Sequence, residues 1–347
     1  PDRPCSYSKA QLNMTGNLKQ SLLTTVFALA TVAAALEPRE VEVDESVELE
    51  AHAAIDRAVN FLVNQQAHNG SWSDDPAVTA LVITALMQCA EEPPEEALQH
   101  GTGFIAAQAQ DDGSIAGAGQ TGNAAALSTV TSAIALMVVD AEAHGAVIES
   151  TLKKVSAPDY AGNMQVLFWL TEAALVAKML DQENRLAMPG YVGKLIKLCQ
   201  HHNPSSDLHG RIFCKSPGGD DPDGLSGTRT AYGIACLFRA GGDRRDPEVA
   251  AAVISLNRSF FTLDEYPDAR SKALYTFYHA YASAHSLLDD QYRKLTERPP
   301  KWRKELIEVL MAQQLGDGQW QHRKGADERD PNWATAHALL TLRLSLD

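Results

Sequence analysis

The sequence predicts an all-α protein of about six helix-pair repeats closed into a ring. Three observations carry that expectation. Apolar residues recur at the helical period along most of the chain. No stretch of useful length alternates with the period of a strand. A segment running from Gln66 through Gly70 to Trp72 returns as Gln314, Gly318 and Trp320.

Taken in order, residues 1–13 precede Met14 and are set aside as an upstream segment. Residues 14–35 have the three-part layout of a signal peptide. A polar stretch with Lys19 leads to the apolar run Leu22–Leu36 (LLTTVFALATVAAAL), which contains the small cleavage signal Ala33-Ala34-Ala35. Export to the periplasm or the cell exterior is expected, with no stable membrane span after cleavage, because the run is short for one. An uncleaved anchor is the competing reading. Residues 36–51 (from Leu36 through EPREVEVDESVELEA) are acidic with few large side chains, and are expected to form a flexible leader to a toroid over 52–347.

Helical faces follow. Ile55, Ala58, Val59 and Leu62 share one; Val78, Leu81, Val82, Ala85 and Cys89 share another. Leu127, Val130, Ile134 and Val138 form a third, and Val192, Leu195, Ile196 and Cys199 a fourth. The repeat is clear at Leu62–Trp72 and Leu310–Trp320, partial at Phe104–Ile115 through Gln110 and Gly113, and degenerate at Gln200–Gly210, Val249–Tyr266 and Val147–Tyr160. Eleven to thirteen helices are expected, roughly two per repeat, the inner ones starting near 76, 124, 162, 228, 270 and 333.

Closure has a physical reason. A helix pair of this length cannot bury its apolar face alone, so neighbours stack, and an open stack needs polar terminal repeats. Here the first and last units carry the best-formed motifs. The link glycine permits a tight turn after a helix, and the aromatic packs against neighbouring backbone. Ala-rich segments such as AVTALVITAL and ATAHALLTL suit a crowded inner circle.

Composition narrows the function classes. The 347 residues are 45% hydrophobic, and 30 basic against 44 acidic residues give −14, which argues against nucleic acid and anionic membrane as partners. The most basic stretch, Lys294–Lys304, is interrupted by Glu297 and two prolines, as a solvated connection would be. Cys89, Cys199 and Cys236 lie on apolar helix faces, leaving at most one expected disulfide, Cys199 with Cys214.

The Phe-Leu-x3-Gln segment followed by Gly-x-Trp, at Phe61–Trp72 and again near Leu310–Trp320, resembles the QW repeat of terpenoid cyclases and protein prenyltransferases. The resemblance covers essentially all of 52–347 and implies an (α/α)6 toroid. Around Asp223–Thr228 the chain looks most like exported bacterial members of that superfamily. The motif implies architecture and no reaction. Class II cyclases use Asp-x-Asp-Asp as the acid; here the nearest match is Trp72-Ser73-Asp74-Asp75, with the first aspartate replaced. Adjacent carboxylates can share a proton and raise one pKa, so Asp74 and Asp75 are the candidate catalytic pair, with Asp74 as the acid. The bland reading makes them helix caps before Pro76. The Asp-Asp-x-x-Asp of class I synthases is incomplete at Asp289-Asp290. The zinc ligands of prenyltransferases are absent from Thr228–Tyr232 and from Trp333–Thr335, and no cysteine stands in a Cys-Gly-Glu-Gln thioester motif.

The candidate ligand-binding residues are Trp169, Arg229, Tyr232, Tyr275, Tyr278, Tyr281, Trp333 and His337, with Phe168, Phe277, His279 and His285 nearby. An aromatic lumen holds an apolar ligand or stabilises a cation; simple packing is the alternative. No metal and no cofactor are expected, although His201, His209 and Cys214 form a cluster with Cys199, His202 and Asp207, and Asp220-Asp221-Pro222-Asp223 offers loop carboxylates to a cation or a substrate. Three functions stay open: an exported toroid that binds or transforms an isoprenoid-type apolar molecule or lipid; a non-catalytic exported binding or scaffold module; and a carbohydrate-active toroid. A deep apolar cavity would favour the first, a channel filled by side chains the second.

Overall fold

The computed structural model describes residues 43–155, 163–180, 193, 196, 199–207, 209–212, 226–259, 273–294, 302–322 and 330–347. The signal segment, Cys214 with its expected pairing to Cys199, and the Asp220–Asp223 acids lie outside these residues. Among the described residues there are eleven helices and no strand, apart from two isolated bridges, Ala109 with Ile115 and Gln200 with Ile212. The helices are α1 (Glu45–Asn64), α2 (Pro76–Cys89), α3 (Glu95–Ala107), α4 (Gly122–Asp140), α5 (Gly145–Val155), α6 (Met164–Met179), α7 (Ser226–Arg239), α8 (Pro247–Ser259), α9 (Leu274–Lys294), α10 (Trp302–Gln313) and α11 (Pro331–Leu346).

Burial patterns sort them into two circles. On α2 every residue from Pro76 to Leu86 is buried, and α6 and α11 are buried nearly all round. A helix apolar on all sides needs neighbours on all sides. On α1 the buried set is a stripe, Ala51, Ala54, Ile55, Ala58, Phe61 and Leu62, and on α5 it is Ile148, Thr151, Leu152 and Val155. Those are outer helices with one wet face. The inner circle runs α2, α4, α6, α7, α9 and α11, each packed on the next, and α11 packs back on α2. Asn332 Nδ2 donates to Ser73 Oγ at 3.0 Å and the Cys89 thiol approaches Leu339 O at 3.5 Å, both across that closure. Residues 39–347 form one compact unit. The all-α toroid expected from the sequence is the observed fold.

One link geometry recurs. Trp72 N, Ile115 N, Ile212 N and Trp320 N each donate to a threonine on the following inner helix: Thr79, Thr129, Thr230 and Thr335, at 3.0 to 3.1 Å. Both tryptophans donate Nε1 to the outer helix they leave, at Leu62 O (2.7 Å) and Leu310 O (2.8 Å). Gly70 and Gly318 stand at φ +85° and +93°, where a Cβ would collide with the carbonyls of His100 and Arg57.

Two expectations need correction. The acidic leader does not extend to residue 51, because α1 begins at Glu45. Glu45 and Glu48 lie at the positive end of the helix dipole, Ala51 is fully buried, and Lys304 pairs with Asp44 at 2.7 Å. In the second repeat Gln110 is one place out of register. Gln110 N donates to Ser114 O as Ala67 N donates to Ser71 O, so Ala109 takes the position of Gln66.

The helix α4 has the length and apolarity of a membrane span, and both follow from its place in the inner circle, where most of it is buried.

Candidate functional site

The link threonines mark the outward face of each inner helix, so side chains on the opposite face line the ring centre. Opposite Thr230 on α7 stand Thr228 and Tyr232; opposite Thr335 on α11 stand Trp333 and His337. These meet α6 and α9 around one residue, His279. Its Nδ1 lies 3.1 Å from the Tyr232 hydroxyl. Its ring stacks on Trp169 at 5.6 Å and 19°, meets Phe168 edge-on at 5.7 Å, and contacts His337 at 5.5 Å. Trp333 packs on His337 at 4.7 Å and donates Nε1 to Thr276 Oγ1 at 3.4 Å. His337 Nδ1 sits 3.1 Å from Trp333 O. A carbonyl only accepts, so Nδ1 carries the proton and Nε2 the lone pair.

Electrostatics at this centre are those of a neutral site. Burial pushes His279 well below the ordinary histidine value, with His337 and Arg239 adding to the effect. Burial also lowers His337 to about 4, against the opposing bond to Trp333. Toward the C-terminal end of α7, Arg239 pairs with Glu172 of α6 and lies 4.8 Å over the Phe168 ring. Burial raises the Glu172 carboxyl, and Arg239 pulls it back down. Tyr232 and His337 have no accessible surface and Phe168 has 1%. The side chains of the His279 cluster are packed on one another.

Of the sequence candidates, Trp169, Tyr232, Trp333 and His337 come together here. Arg229 is half-buried on the first turn of α7. The α9 tyrosines divide. Tyr278 accepts from Gln313 Nε2 of the outer helix α10 at 3.4 Å, and Tyr275 packs edge-on against Tyr278. Tyr281 lies 4.2 Å from His285, whose ring faces Trp302 of α10 at 5.8 Å. Tyr278 and Tyr281 therefore pack toward the outer helix α10, while Tyr275 stands one turn before His279. Residue spacing alone did not separate the two faces of α9.

The two adjacent carboxylates take different places. Asp74 is exposed in a left-handed conformation (φ +52°), and accepts from Asn69 Nδ2 at 3.2 Å. It does not cap α2. Asp75 is the cap: Oδ1 accepts from Ala77 N at 2.7 Å and Val78 N at 3.3 Å, and Oδ2 accepts from Gln120 Nε2 at 2.8 Å. Burial raises its pKa, the two backbone donors oppose that, and the neighbouring Asp330 adds to the rise. Asp330 in turn caps α11 through Asn332 N and Trp333 N. Both Asp75 oxygens accept hydrogen bonds, Oδ1 from the first turn of α2 and Oδ2 from Gln120.

Among the described residues no group of three His, Cys, Asp or Glu side chains could hold a metal ion. His201 and His209 sit in the link before α7, where His201 N donates to Arg211 O and His209 N to Ser206 O at 2.9 and 3.0 Å. Glu172 and Arg239 are not among the sequence candidates. Their signal was a charge within an apolar run, in MQVLFWLTEAALVAKM and SGTRTAYGIACLFR.

The ring is similar to that of the type II terpene cyclase MstE from Scytonema in its apo form, with TM-score 0.52 and 16% identity over 86% of this chain and 99% of that one. A point variant of the same cyclase gives TM-score 0.53 and 16% identity, over 88% and 98%. The fold is terpenoid-cyclase-like. No protein-family model matches the chain, and no curated protein does. At that identity the likeness is one of fold, and the chemistry of this cyclase-like toroid rests on its own residues.

Proposed function

We propose that this cyclase-like toroid is an exported, non-catalytic binding module that takes an apolar, isoprenoid-type ligand against its aromatic centre. One observation carries the reading. Phe168, Trp169, Tyr232 and Trp333 converge with two neutral imidazoles, while Asp74 and Asp75, the acids proposed to start a cyclisation, stand at the exposed turn and at a helix cap. Rings of this kind favour apolar matter, and a neutral imidazole cannot protonate an alkene. Because Tyr232 and His337 have no accessible surface, the ligand enters by displacing ring contacts. Export rests on the Met14–Leu36 segment.

The test is native mass spectrometry of the protein from its own host, with incubation of the purified chain with squalene and shorter polyprenes. A co-purifying lipid, tryptophan quenching on titration and unchanged polyprene are expected. Cyclised product would overturn the non-catalytic reading, and neither adduct nor quenching would overturn the binding one.

A further inference from the structure

We infer that the bound molecule carries a hydroxyl group, so that the ring selects an isoprenoid alcohol over the matching hydrocarbon. This rests on the binding reading above and specifies its ligand.

Among the buried polar atoms without a hydrogen-bond partner are three on the residues around His279: Trp169 Nε1 on α6, Thr228 Oγ1 on α7 and His337 Nε2 on α11. Their residues are 3%, 6% and 0% exposed. They belong to one neighbourhood. Trp169 and His337 both contact the His279 ring, and Thr228 lies one turn before Tyr232, which bonds that ring. Buried polar groups in native proteins are nearly always paired, and an unmet one costs free energy that a partner restores.

The three groups together specify the partner. An indole N–H only donates. With its proton on Nδ1, His337 offers a lone pair at Nε2 and only accepts. The Thr228 hydroxyl does either. A hydroxyl group complements this set, accepting from Trp169 and donating to His337. A hydrocarbon meets none of the three. A carboxylate or phosphate would meet the His337 lone pair with no proton to offer, and Glu172 already neutralises the charge of the nearby Arg239, whose Nε and Nη1 lie toward Glu172 and Phe168 rather than in the His279–His337 contact. A ligand alcohol thus returns to the ring what its ligand-free form lacks, and that difference drives the aromatic contacts apart.

Isothermal titration of the full chain with farnesol and with farnesene, which match in carbon skeleton, tests this. Farnesol is expected to bind about tenfold more tightly, the worth of one good hydrogen bond to a buried group. Trp169→Phe keeps an aromatic ring without the donor, and is expected to bring the two affinities within about threefold by weakening farnesol alone. Thr228→Val, which keeps the side-chain shape, is the second variant if Trp169→Phe does not fold, and is expected to reduce the preference in the same direction. Equal affinities for alcohol and hydrocarbon in the wild type would mean that ordered water satisfies these groups; the inference would fall and the binding reading would stand. An alcohol preference unchanged in the folded variants would overturn the assignment to these residues. No binding of either compound would overturn both readings.

Discussion

Gln314 ties the last repeat of the ring to the first by donating Nε2 to Ala54 O on α1 at 2.8 Å, while the same amide donates to Gly318 O at 3.0 Å in its own link. Gln66 makes the equivalent pair to Ala97 O (2.8 Å) and Gly70 O (2.9 Å), and Gln200 to Glu248 O (2.7 Å) and Gly210 O (3.1 Å). One side chain thus holds its own turn shut and grips the next outer helix. The Gln314 brace is the one that spans the closure of the circle, and its Oε1 also accepts from Arg57 at 2.7 Å.

Removing that brace leaves two part-buried carbonyls without their donor. Gln314→Ala is expected to cost about 1–3 kcal/mol of unfolding free energy, measured by urea denaturation. Ala109 occupies the corresponding place in the second link, so Ala109→Gln is expected to stabilise the protein by up to about 1 kcal/mol.

The link glycine is required by both conformation and contact. Gly318→Ala forces a Cβ into the Arg57 carbonyl at φ +93°, and is expected to lower stability by more than about 1 kcal/mol. Gly103→Ala on α3 meets nothing within 4 Å and is expected to stabilise by about 0.5–1 kcal/mol. Equal thermal shifts in the two variants would contradict the contact argument.

Asp75 and Asp74 are expected to separate on mutation. Asp74→Asn should change stability by less than about 0.5 kcal/mol, as an exposed side chain does. Asp75→Ala removes a cap and should cost about 1 kcal/mol. The Asp75 pKa is raised above 3.8 in the folded protein, so the native state holds this proton more tightly than the unfolded chain does. Its contribution is full below pH 3.8 and is lost as pH rises through the folded value. The stability advantage of wild type over Asp75→Asn should therefore shrink between pH 3 and pH 7, as read from denaturation curves at each pH.

His285 has no accessible surface and neither ring nitrogen has a partner. Burial, with Arg303 adding, lowers it to about 3 from 6.5. A depressed histidine contributes stability that is whole above pH 6.5 and lost as pH falls toward the folded value. His285→Phe keeps an aromatic ring between Tyr281 and Trp302 without titrating. It is expected to match or exceed wild-type stability at pH 7 by up to about 2 kcal/mol, and to unfold at lower pH in an acid titration followed by circular dichroism. An unchanged acid midpoint would assign the acid sensitivity elsewhere.

The sequence by itself determined the class, the two circles and the closure. Helical periodicity is local, and so is the contrast between helices apolar on one stripe and helices apolar all round; both depend only on residues a few places apart. The inner helices accordingly begin at Pro76, Gly122, Met164, Ser226, Leu274 and Pro331, close to the expected starts. Trp169, Tyr232, Trp333 and His337 were legible as bulky or polar side chains on such helices. Only the tertiary structure decided which way each one points. Tyr278 and Tyr281 share α9 with His279, yet they face Gln313 and the His285–Trp302 seam, because outer helix α10 packs on that side of α9. Asp74 and Asp75 are neighbours in the chain, yet the left-handed turn at Asp74 sends one into solvent and the other onto the first turn of α2. The pairing of Glu172 with Arg239 and the gathering of four helices on His279 join residues far apart in sequence, and that proximity exists only once the circle has closed.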